Sequence, residues 1–280
     1  MPSPLIDAND LKKLLDTSNI AIIDAGGSPQ SFNRYMEKHI EGAQYVDLDK
    51  QLSKVPENAK DGGRHPLPPI NEFCTLLGDL GIDPQTTVIV YDDKGGVNAA
   101  SRFWWMMKAL GHKNLFVLNG GLAAAEIAGI RTTSNPHVEK NLKNVYPTTK
   151  WDLPMVDIEE IEKFRSNADY KVIDVRSSER FDGKAEPIDL IAGHIPGAIN
   201  VPLENNLNTD GKFRDPKELH KYYSDILGNT SVKNTAIHCG SGVTACHTIL
   251  SLEHAGIGIP NLYVGSWSEW SRNNKPIGTN

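Results

Sequence analysis

Short apolar runs alternate along the chain with segments in which apolar residues recur at helical spacing. The runs within 20–24 and 170–176 have the length of buried strands, and each contains an aspartate after its apolar residues. Residues 7–15 predict a capped amphipathic helix, and residues 157–164 predict another helix. Because strands alternate with helices, we expect an α/β fold with a mostly parallel sheet and helices on both faces.

The two halves of the chain repeat this pattern. They share several segments at matching positions: Asp24 and Asp174, His39 and His194, 87–92 and 234–239, and 114–117 and 261–264. The spacing of about 150 residues is far above the roughly 20–50 residues of solenoid repeats, so it indicates a tandem duplication of one domain. We therefore predict an N-terminal domain at 1–131, a polar linker at 132–150 and a C-terminal domain at 151–280.

Composition narrows the choice of partners and compartment. The chain has 280 residues and a formal net charge of −6, which argues against a general nucleic-acid binder. It has no stretch of about 18 apolar residues and no apolar signal region at its start, so we expect no membrane partner and no signal peptide. The only cysteines are Cys74, Cys239 and Cys246, an odd and sparse set that fits a reducing, cytoplasmic compartment.

The segment 238–245 joins a predicted strand at 232–237 to a predicted helix at 246–255, for which Gly256 is a suitable C-terminal cap. Its two glycines allow successive backbone N–H groups to point toward one centre, and the N-terminus of the following helix adds partial positive charge. Cys239 lies at the start of this loop. Such surroundings stabilise a thiolate or a persulfide anion, so the sequence predicts that Cys239 is a nucleophile.

The sequence Cys-Gly-Ser-Gly-Val-Thr at 239–244 resembles the active-site loop of the rhodanese superfamily, in its 3-mercaptopyruvate sulfurtransferase form. The segments 101–106, 194–198 and 265–270 resemble the same family, so the resemblance covers nearly the whole chain. It implies two tandem rhodanese-like domains. Asp92 stands in the first half where the cysteine stands in the second, so the N-terminal domain is expected to be catalytically silent.

The resemblance implies an enzyme that moves sulfane sulfur from 3-mercaptopyruvate, through a persulfide on Cys239, to cyanide, a small thiol or thioredoxin. Cleavage of the donor's C–S bond leaves an enolate-like pyruvate that must be protonated. The resemblance implies that Ser241 takes part in this step, linked to His65 and Asp49 from the first domain. A relay of a hydroxyl, an imidazole and a carboxylate is chemically suited to moving that proton.

The sulfur donor is a small anion, so it needs a cationic partner near the cysteine. In the family an arginine at the position of Arg180 binds the donor's anionic group, and a guanidinium suits a carboxylate with two parallel hydrogen bonds. The resemblance also implies donor contacts from the loop residues Gly240, Gly242, Val243 and Thr244. Members usually have a second arginine shortly after the first, whereas 185–191 of this chain contains none.

The sequence alone leaves other functions open. Thiosulfate sulfurtransferase is one alternative, although enzymes of that type typically carry basic residues where this chain has Gly240 and Ser241. A non-catalytic sulfur-binding or interaction module is another. The cysteines and histidines at 238–239 and 246–247 do not have the spacing of a zinc finger, so we expect neither a metal nor an organic cofactor. We also expect a monomer.

Overall fold

The computed structural model describes residues 3–15, 19–136 and 145–280. The chain divides into two compact units that do not strictly follow the chain order. The first comprises Met1–Lys54, Leu67–Asp152 and Thr209–Lys212, and the second comprises Val55–Pro66, Leu153–Asn208 and Phe213–Asn280. Of the linker expected at 132–150, residues 137–144 lie outside the described residues, and the expected domain boundaries stay predictions.

Strands and helices alternate in the first unit. Its strands are β1 (Leu5–Ile6), β2 (Ile20–Gly26), β3 (His39–Ile40), β4 (Ala43–Asp47), β5 (Thr87–Tyr91), β6 (Leu115–Leu118) and β7 (Thr132–Thr133). Its helices are α1 (Ala8–Leu14), α2 (Pro29–Glu37), α3 (Leu48–Gln51), α4 (Ile70–Asp79), α5 (Ala99–Ala109) and α6 (Gly121–Ile127). A parallel sheet has the order β1-β6-β5-β2-β4, and β3 pairs with β7 antiparallel.

The second unit repeats this alternation. Its strands are β8 (Met155–Val156), β9 (Lys171–Asp174), β10 (Ile199–Asn200), β11 (Thr235–His238) and β12 (Asn261–Tyr263). Its helices are α7 (Ile158–Phe164), α8 (Ser178–Phe181), α9 (Pro216–Leu227), α10 (Ala245–His254) and α11 (Ser266–Trp270), with 3₁₀ turns at Leu203–Asn206 and Val232–Asn234. All neighbouring strands are parallel, in the order β10-β9-β11-β12-β8.

The two five-stranded sheets have the same topology. Strands β1, β6, β5, β2 and β4 of the first correspond in order to β8, β12, β11, β9 and β10 of the second. The apolar residues of the central strands are buried, for example Val88, Ile89 and Val90 in β5 and Ile237 in β11, as expected for a parallel sheet that helices cover. The predicted α/β fold with two mostly parallel sheets is confirmed, and each central strand ends in a loop that leads into a helix.

Most of the predicted elements form, with small differences at their ends. Asp157 caps α7 through a reciprocal pair of hydrogen bonds with Glu160, and Gly256 takes the left-handed conformation (φ +73°) just after α10. The strand expected at 232–237 begins only at Thr235, because the Ser231 side chain caps a 3₁₀ turn over the preceding residues. No helix in the described part of the chain is long and apolar enough to span a membrane.

Candidate active site

Cys239 follows directly after β11, which lies between β9 and β12 in the sheet of the second unit. Its side chain is buried, and the loop after it runs to Thr244, where α10 begins. The cysteine therefore lies at the C-terminal end of a central parallel strand, where sheets of this kind hold their active sites. The sequence predicted this position from the order of strand, loop and helix.

The backbone of the loop is held by α11 and by a close approach at Gly242. The N–H of Cys239 donates to Ser266 Oγ (3.2 Å), and the Ser268 N–H donates to the carbonyl of Gly240 (2.9 Å). Gly242 has a φ of +74°, and a Cβ added there would lie 2.3 Å from the carbonyl oxygen of Val264. Only glycine fits this position without a shift of the neighbouring strand end.

The matching loop of the first unit directs its backbone N–H groups at one side chain. There the carboxylate of Asp92 accepts hydrogen bonds from four loop N–H groups, those of Lys94, Gly96, Asn98 and Ala100, at 2.7–3.2 Å. Burial raises the pKa of Asp92, and these four hydrogen bonds oppose that effect. The loop thus surrounds a carboxyl group with backbone donors, and in the first unit the chain supplies that acceptor itself.

In the second unit the corresponding donors have no such carboxylate. The N–H groups of Ser241 and Val243 correspond in sequence to those of Lys94 and Gly96, and they donate to no acceptor within the described residues. Cys239 aligns with Asp92 of the first unit, so a negatively charged sulfur on Cys239 corresponds to the side chain of Asp92. The loop is therefore suited to stabilising a thiolate or a persulfide.

His65 lies beside the loop. Its Nδ1 is 2.8 Å from Ser241 Oγ, so the two residues are within hydrogen-bond distance. Although His65 falls within the sequence range expected for the N-terminal domain, residues 55–66 belong to the second compact unit. α11 holds this segment: the Gly62 N–H donates to Glu269 Oε1 (3.0 Å) and the Arg64 N–H donates to Ser268 Oγ (3.0 Å).

The third residue of the expected relay, Asp49, belongs to the first unit. It lies in the short helix α3, where its N–H donates to the side chain of Asp47 (3.0 Å), the residue that caps this helix. Its expected link to His65 stays a prediction.

Arg180 lies against the loop, but two carboxylates already bind it. A Cβ added to Gly240 would lie 3.4 Å from Arg180 Nη2, which measures how near the guanidinium is. The guanidinium donates to both oxygens of Glu186 (2.7 and 3.1 Å) and approaches Asp189 (3.4 Å). Burial alone would raise the pKa of Glu186, but the hydrogen bonds from Arg180 and from the backbone outweigh it and lower that pKa, so Glu186 is a carboxylate at neutral pH.

Arg64 and Arg272 bind Asp189 together with Arg180, and the sequence assigned neither of them to the donor site. Arg64 Nη2 is 3.2 Å from the Cβ position of Gly240, and its Nη1 donates to Asp189. Arg272 donates to Asp189 (2.9 Å) and to the carbonyl of Ser268 (2.8 Å). The positions of these residues in the sequence carry no signal that they converge, apart from the adjacency of Arg64 to His65.

The side chains of Arg176 and Cys246 are bound within the second unit. Arg176 is buried and donates to both oxygens of Asp174 and to the carbonyl of Gly193. Cys246 is buried within α10 and its thiol donates to the carbonyl of Gly242 (3.3 Å). Among the described residues no group of three or more histidine, cysteine, aspartate or glutamate side chains could hold a metal ion.

Comparison with known proteins decides the family. A model of the rhodanese-like domain matches residues 7–127 and again residues 157–273. The chain belongs to the rhodanese family. A Pseudomonas aeruginosa protein named "Probable 3-mercaptopyruvate sulfurtransferase" is 36% identical over 282 residues, which cover 98% of each chain. The thiosulfate sulfurtransferase of Rattus norvegicus is 32% identical over 92% of this rhodanese and 87% of its own length.

A solved structure agrees with these relatives. The 3-mercaptopyruvate sulfurtransferase from Leishmania major superposes on this rhodanese with a TM-score of 0.83 at 32% sequence identity, covering 96% of this chain and 74% of that one. All of these relatives are sulfurtransferases, and this rhodanese is a sulfurtransferase too. The alternative of a non-catalytic binding module is therefore not retained.

Proposed function

We propose that this sulfurtransferase takes sulfur from 3-mercaptopyruvate and carries it as a persulfide on Cys239. The observation that supports this donor most strongly is the 2.8 Å distance between His65 Nδ1 and Ser241 Oγ, two residues after the cysteine. A hydroxyl coupled to an imidazole can deliver a proton. Mercaptopyruvate needs such a proton when its C–S bond breaks, whereas thiosulfate releases sulfite and needs none on carbon.

In the first half-reaction the Cys239 thiolate attacks the donor sulfur. An S–S bond forms and the C–S bond breaks, so its electron pair leaves on the enolate of pyruvate. Ser241 donates its proton to the enolate carbon, and the thiol proton of the donor passes through His65 back to the serine. Asp49 is expected to orient this histidine. The products are pyruvate and a Cys239 persulfide, whose charge the N–H groups of the loop stabilise.

In the second half-reaction an acceptor removes the outer sulfur. Cyanide attacks it to give thiocyanate, or a thiolate attacks it to give a new persulfide, and Cys239 returns to the thiolate in both cases. Reduced thioredoxin is the proposed protein acceptor. The modified enzyme is an obligatory intermediate, so the kinetics follow a double-displacement scheme.

The donor's carboxylate is proposed to bind Arg180, with Arg64 beside it. Both guanidinium groups lie against Gly240, and an arginine pairs with a carboxylate through two parallel hydrogen bonds. Arg64 compensates for the second arginine that the sequence lacks at 185–191. The N–H groups of Gly240, Gly242, Val243 and Thr244 form the backbone part of the same donor site.

The same arginines favour a second candidate function, that of a thiosulfate sulfurtransferase. Thiosulfate is a dianion, and its sulfonate end needs cationic partners near the loop. Arg64 and Arg180 supply these although the loop itself contains no lysine or arginine. We rank this function second because thiosulfate has no use for the Ser241–His65 pair.

Two measurements test the proposal. Incubation with 3-mercaptopyruvate, followed by intact-mass spectrometry, should add one sulfur atom to the enzyme and none to Cys239→Ser. Variants Cys74→Ala and Cys246→Ala control for the other two thiols and should still gain the sulfur. Steady-state kinetics should then give a higher kcat/KM for 3-mercaptopyruvate than for thiosulfate. Sulfur uptake by Cys239→Ser would refute the carrier, and the opposite donor order would make the enzyme a thiosulfate sulfurtransferase.

A cytoplasmic location and a monomeric state belong to the same proposal. The proposed location rests on the sparse, odd set of three cysteines.

A further inference from the structure

Three arginines converge on one carboxylate beside the active-site loop. The side chain of Asp189 has no solvent exposure, and it accepts hydrogen bonds from Arg64, Arg180 and Arg272. Each of these arginines comes from a different part of the second unit, and two of them, Arg64 and Arg180, also face Gly240. Asp189 is therefore the buried centre of the cationic group that faces the loop.

A second carboxylate fixes Asp189 in place. Glu186 Oε1 accepts hydrogen bonds from the N–H groups of Ile188 (3.1 Å) and Asp189 (3.0 Å), while the same carboxyl group binds Arg180. The indole of Trp267 donates to the carbonyl of Ile191 (2.9 Å) and holds the other end of this turn. The turn thus holds Asp189 against the arginines, although its neighbours Ile188 and Leu190 are exposed.

The charges of this group do not balance. The guanidinium groups of Arg64, Arg180 and Arg272 face the carboxylates of Glu186 and Asp189, which leaves one net positive charge. Arg176 also contacts Glu186 (3.2 Å), but it does not change this balance, because the buried carboxylate of Asp174 offsets its charge. The Cys239 thiolate is not part of this count, because the N–H groups of the loop stabilise it. The single positive charge of the arginine group therefore matches a donor group that carries one negative charge.

We infer that Asp189 is a specificity-determining residue, which sets the net charge of the donor site and makes the enzyme prefer monoanionic over dianionic sulfur donors. This inference rests on the proposed function. A carboxylate donor such as 3-mercaptopyruvate neutralises the arginine group. A dianion such as thiosulfate would leave one negative charge in excess in a partly buried place, which is costly.

The test uses the isosteric variant Asp189→Asn in the full chain. It removes one negative charge and raises the net charge of the arginine group by one. The attraction of a charge scales with the charge of the ligand, so a dianion gains more than a monoanion. We expect the ratio of kcat/KM for thiosulfate to kcat/KM for 3-mercaptopyruvate to rise about tenfold. Asp225→Asn, an exposed residue paired with Lys221, controls for the change in total charge and should leave the ratio unchanged.

A second variant makes the inference independent of how well Asp189→Asn folds. Arg272→Gln removes one positive charge from the same group without touching Gly240, so the ratio should shift in the opposite direction. Competitive inhibition measures anion binding without turnover. The ratio of sulfate inhibition to acetate inhibition should be higher for Asp189→Asn than for the wild type. A merely structural role of Asp189 would lower both kcat/KM values together and would not separate the two anions.

The outcomes distinguish this inference from the function on which it rests. If the wild type forms a Cys239 persulfide but both variants keep the wild-type donor ratio and the wild-type ratio of sulfate to acetate inhibition, the inference about Asp189 is wrong and the proposed function stands. If the wild type gains no sulfur from 3-mercaptopyruvate, the proposed donor fails. Even in that case, the ratio of sulfate to acetate inhibition could still differ between the variants and the wild type. Such a difference would support Asp189 as the residue that sets the charge of the anion site.

Discussion

His65 Nδ1 lies 2.8 Å from Ser241 Oγ, although 176 positions separate the two residues in the chain. The contact exists because the segment 55–66 packs on α11 within the second unit, held through Glu269 and Ser268. Ser241 is nearly buried, so water has little access to its hydroxyl and the imidazole is its neighbouring base. This pair is the structural basis of the proposed donor choice.

The first prediction concerns the two members of this pair. Ser241→Ala and His65→Ala should each lower kcat with 3-mercaptopyruvate by a factor on the order of 10²–10⁴, the usual contribution of general acid–base assistance. Turnover with thiosulfate should fall much less, because its leaving group needs no protonation on carbon. His220→Ala, an exposed histidine of α9, is the control. Equal losses with both donors would mean that the pair only shapes the loop.

The second prediction concerns the close approach at Gly242. Gly242→Ala and Gly256→Ala place alanine at nearly the same positive φ (+74° and +73°), but only at Gly242 would the new Cβ meet a carbonyl oxygen, that of Val264. Both variants should lose about 1–2 kcal/mol of stability from the backbone conformation. Gly242→Ala should lose more than Gly256→Ala in urea unfolding, and only it should lose sulfur uptake. If Gly242→Ala and Gly256→Ala gave the same urea unfolding curve, the close contact at Gly242 would not affect stability and the prediction would be wrong.

The third prediction separates the anion of the first unit from the chemistry of the second. Asp92→Ala removes the acceptor of four backbone N–H groups, each of which costs about 1–3 kcal/mol when it is buried without a partner. We expect a clear fall in the urea midpoint, while folded protein keeps its capacity to take up one sulfur on Cys239. Asp93→Ala, an exposed neighbour, should change neither quantity. Loss of sulfur uptake by folded Asp92→Ala would contradict a silent first unit.

The fourth prediction follows from Glu269, whose pKa is raised mainly because burial disfavours its charged form. The folded state binds this proton more tightly than the unfolded state, so the wild type loses stability as the pH rises from the ordinary glutamate pKa through the raised one. Glu269→Gln keeps an oxygen acceptor for the Gly62 N–H and has no proton to lose. Its unfolding free energy relative to the wild type should therefore increase with pH across that window. Urea unfolding at several pH values measures this difference.

Glu218→Gln is the matched control for that series, because it removes an acid on the exposed side of α9. A difference curve for Glu269→Gln that is as flat as the control's would contradict the raised pKa.

Much of this enzyme follows from its sequence alone. The apolar runs and helical periodicities predicted the α/β fold, because burial of alternating strand and helix faces leaves few other arrangements. The repeated pattern predicted the duplication, and the matching order of the two sheets agrees with it. The position of Cys239 at the end of a central strand could also be predicted, because it depends only on neighbours within the loop.

Other features depend on residues that are far apart in the chain. The late start of the strand expected at 232–237 is an exception, because there a local side-chain cap at Ser231 outweighed the apolar pattern. The family resemblance predicted Arg180 beside the loop, but no local pattern predicted the cluster around it. Arg64, Arg180 and Arg272 meet at Asp189 only because separate segments pack together. The sequence predicted which group is the nucleophile, since the position of Cys239 is set by the local backbone. The tertiary structure decided which charges surround it, since electrostatic attraction acts through space and not along the chain.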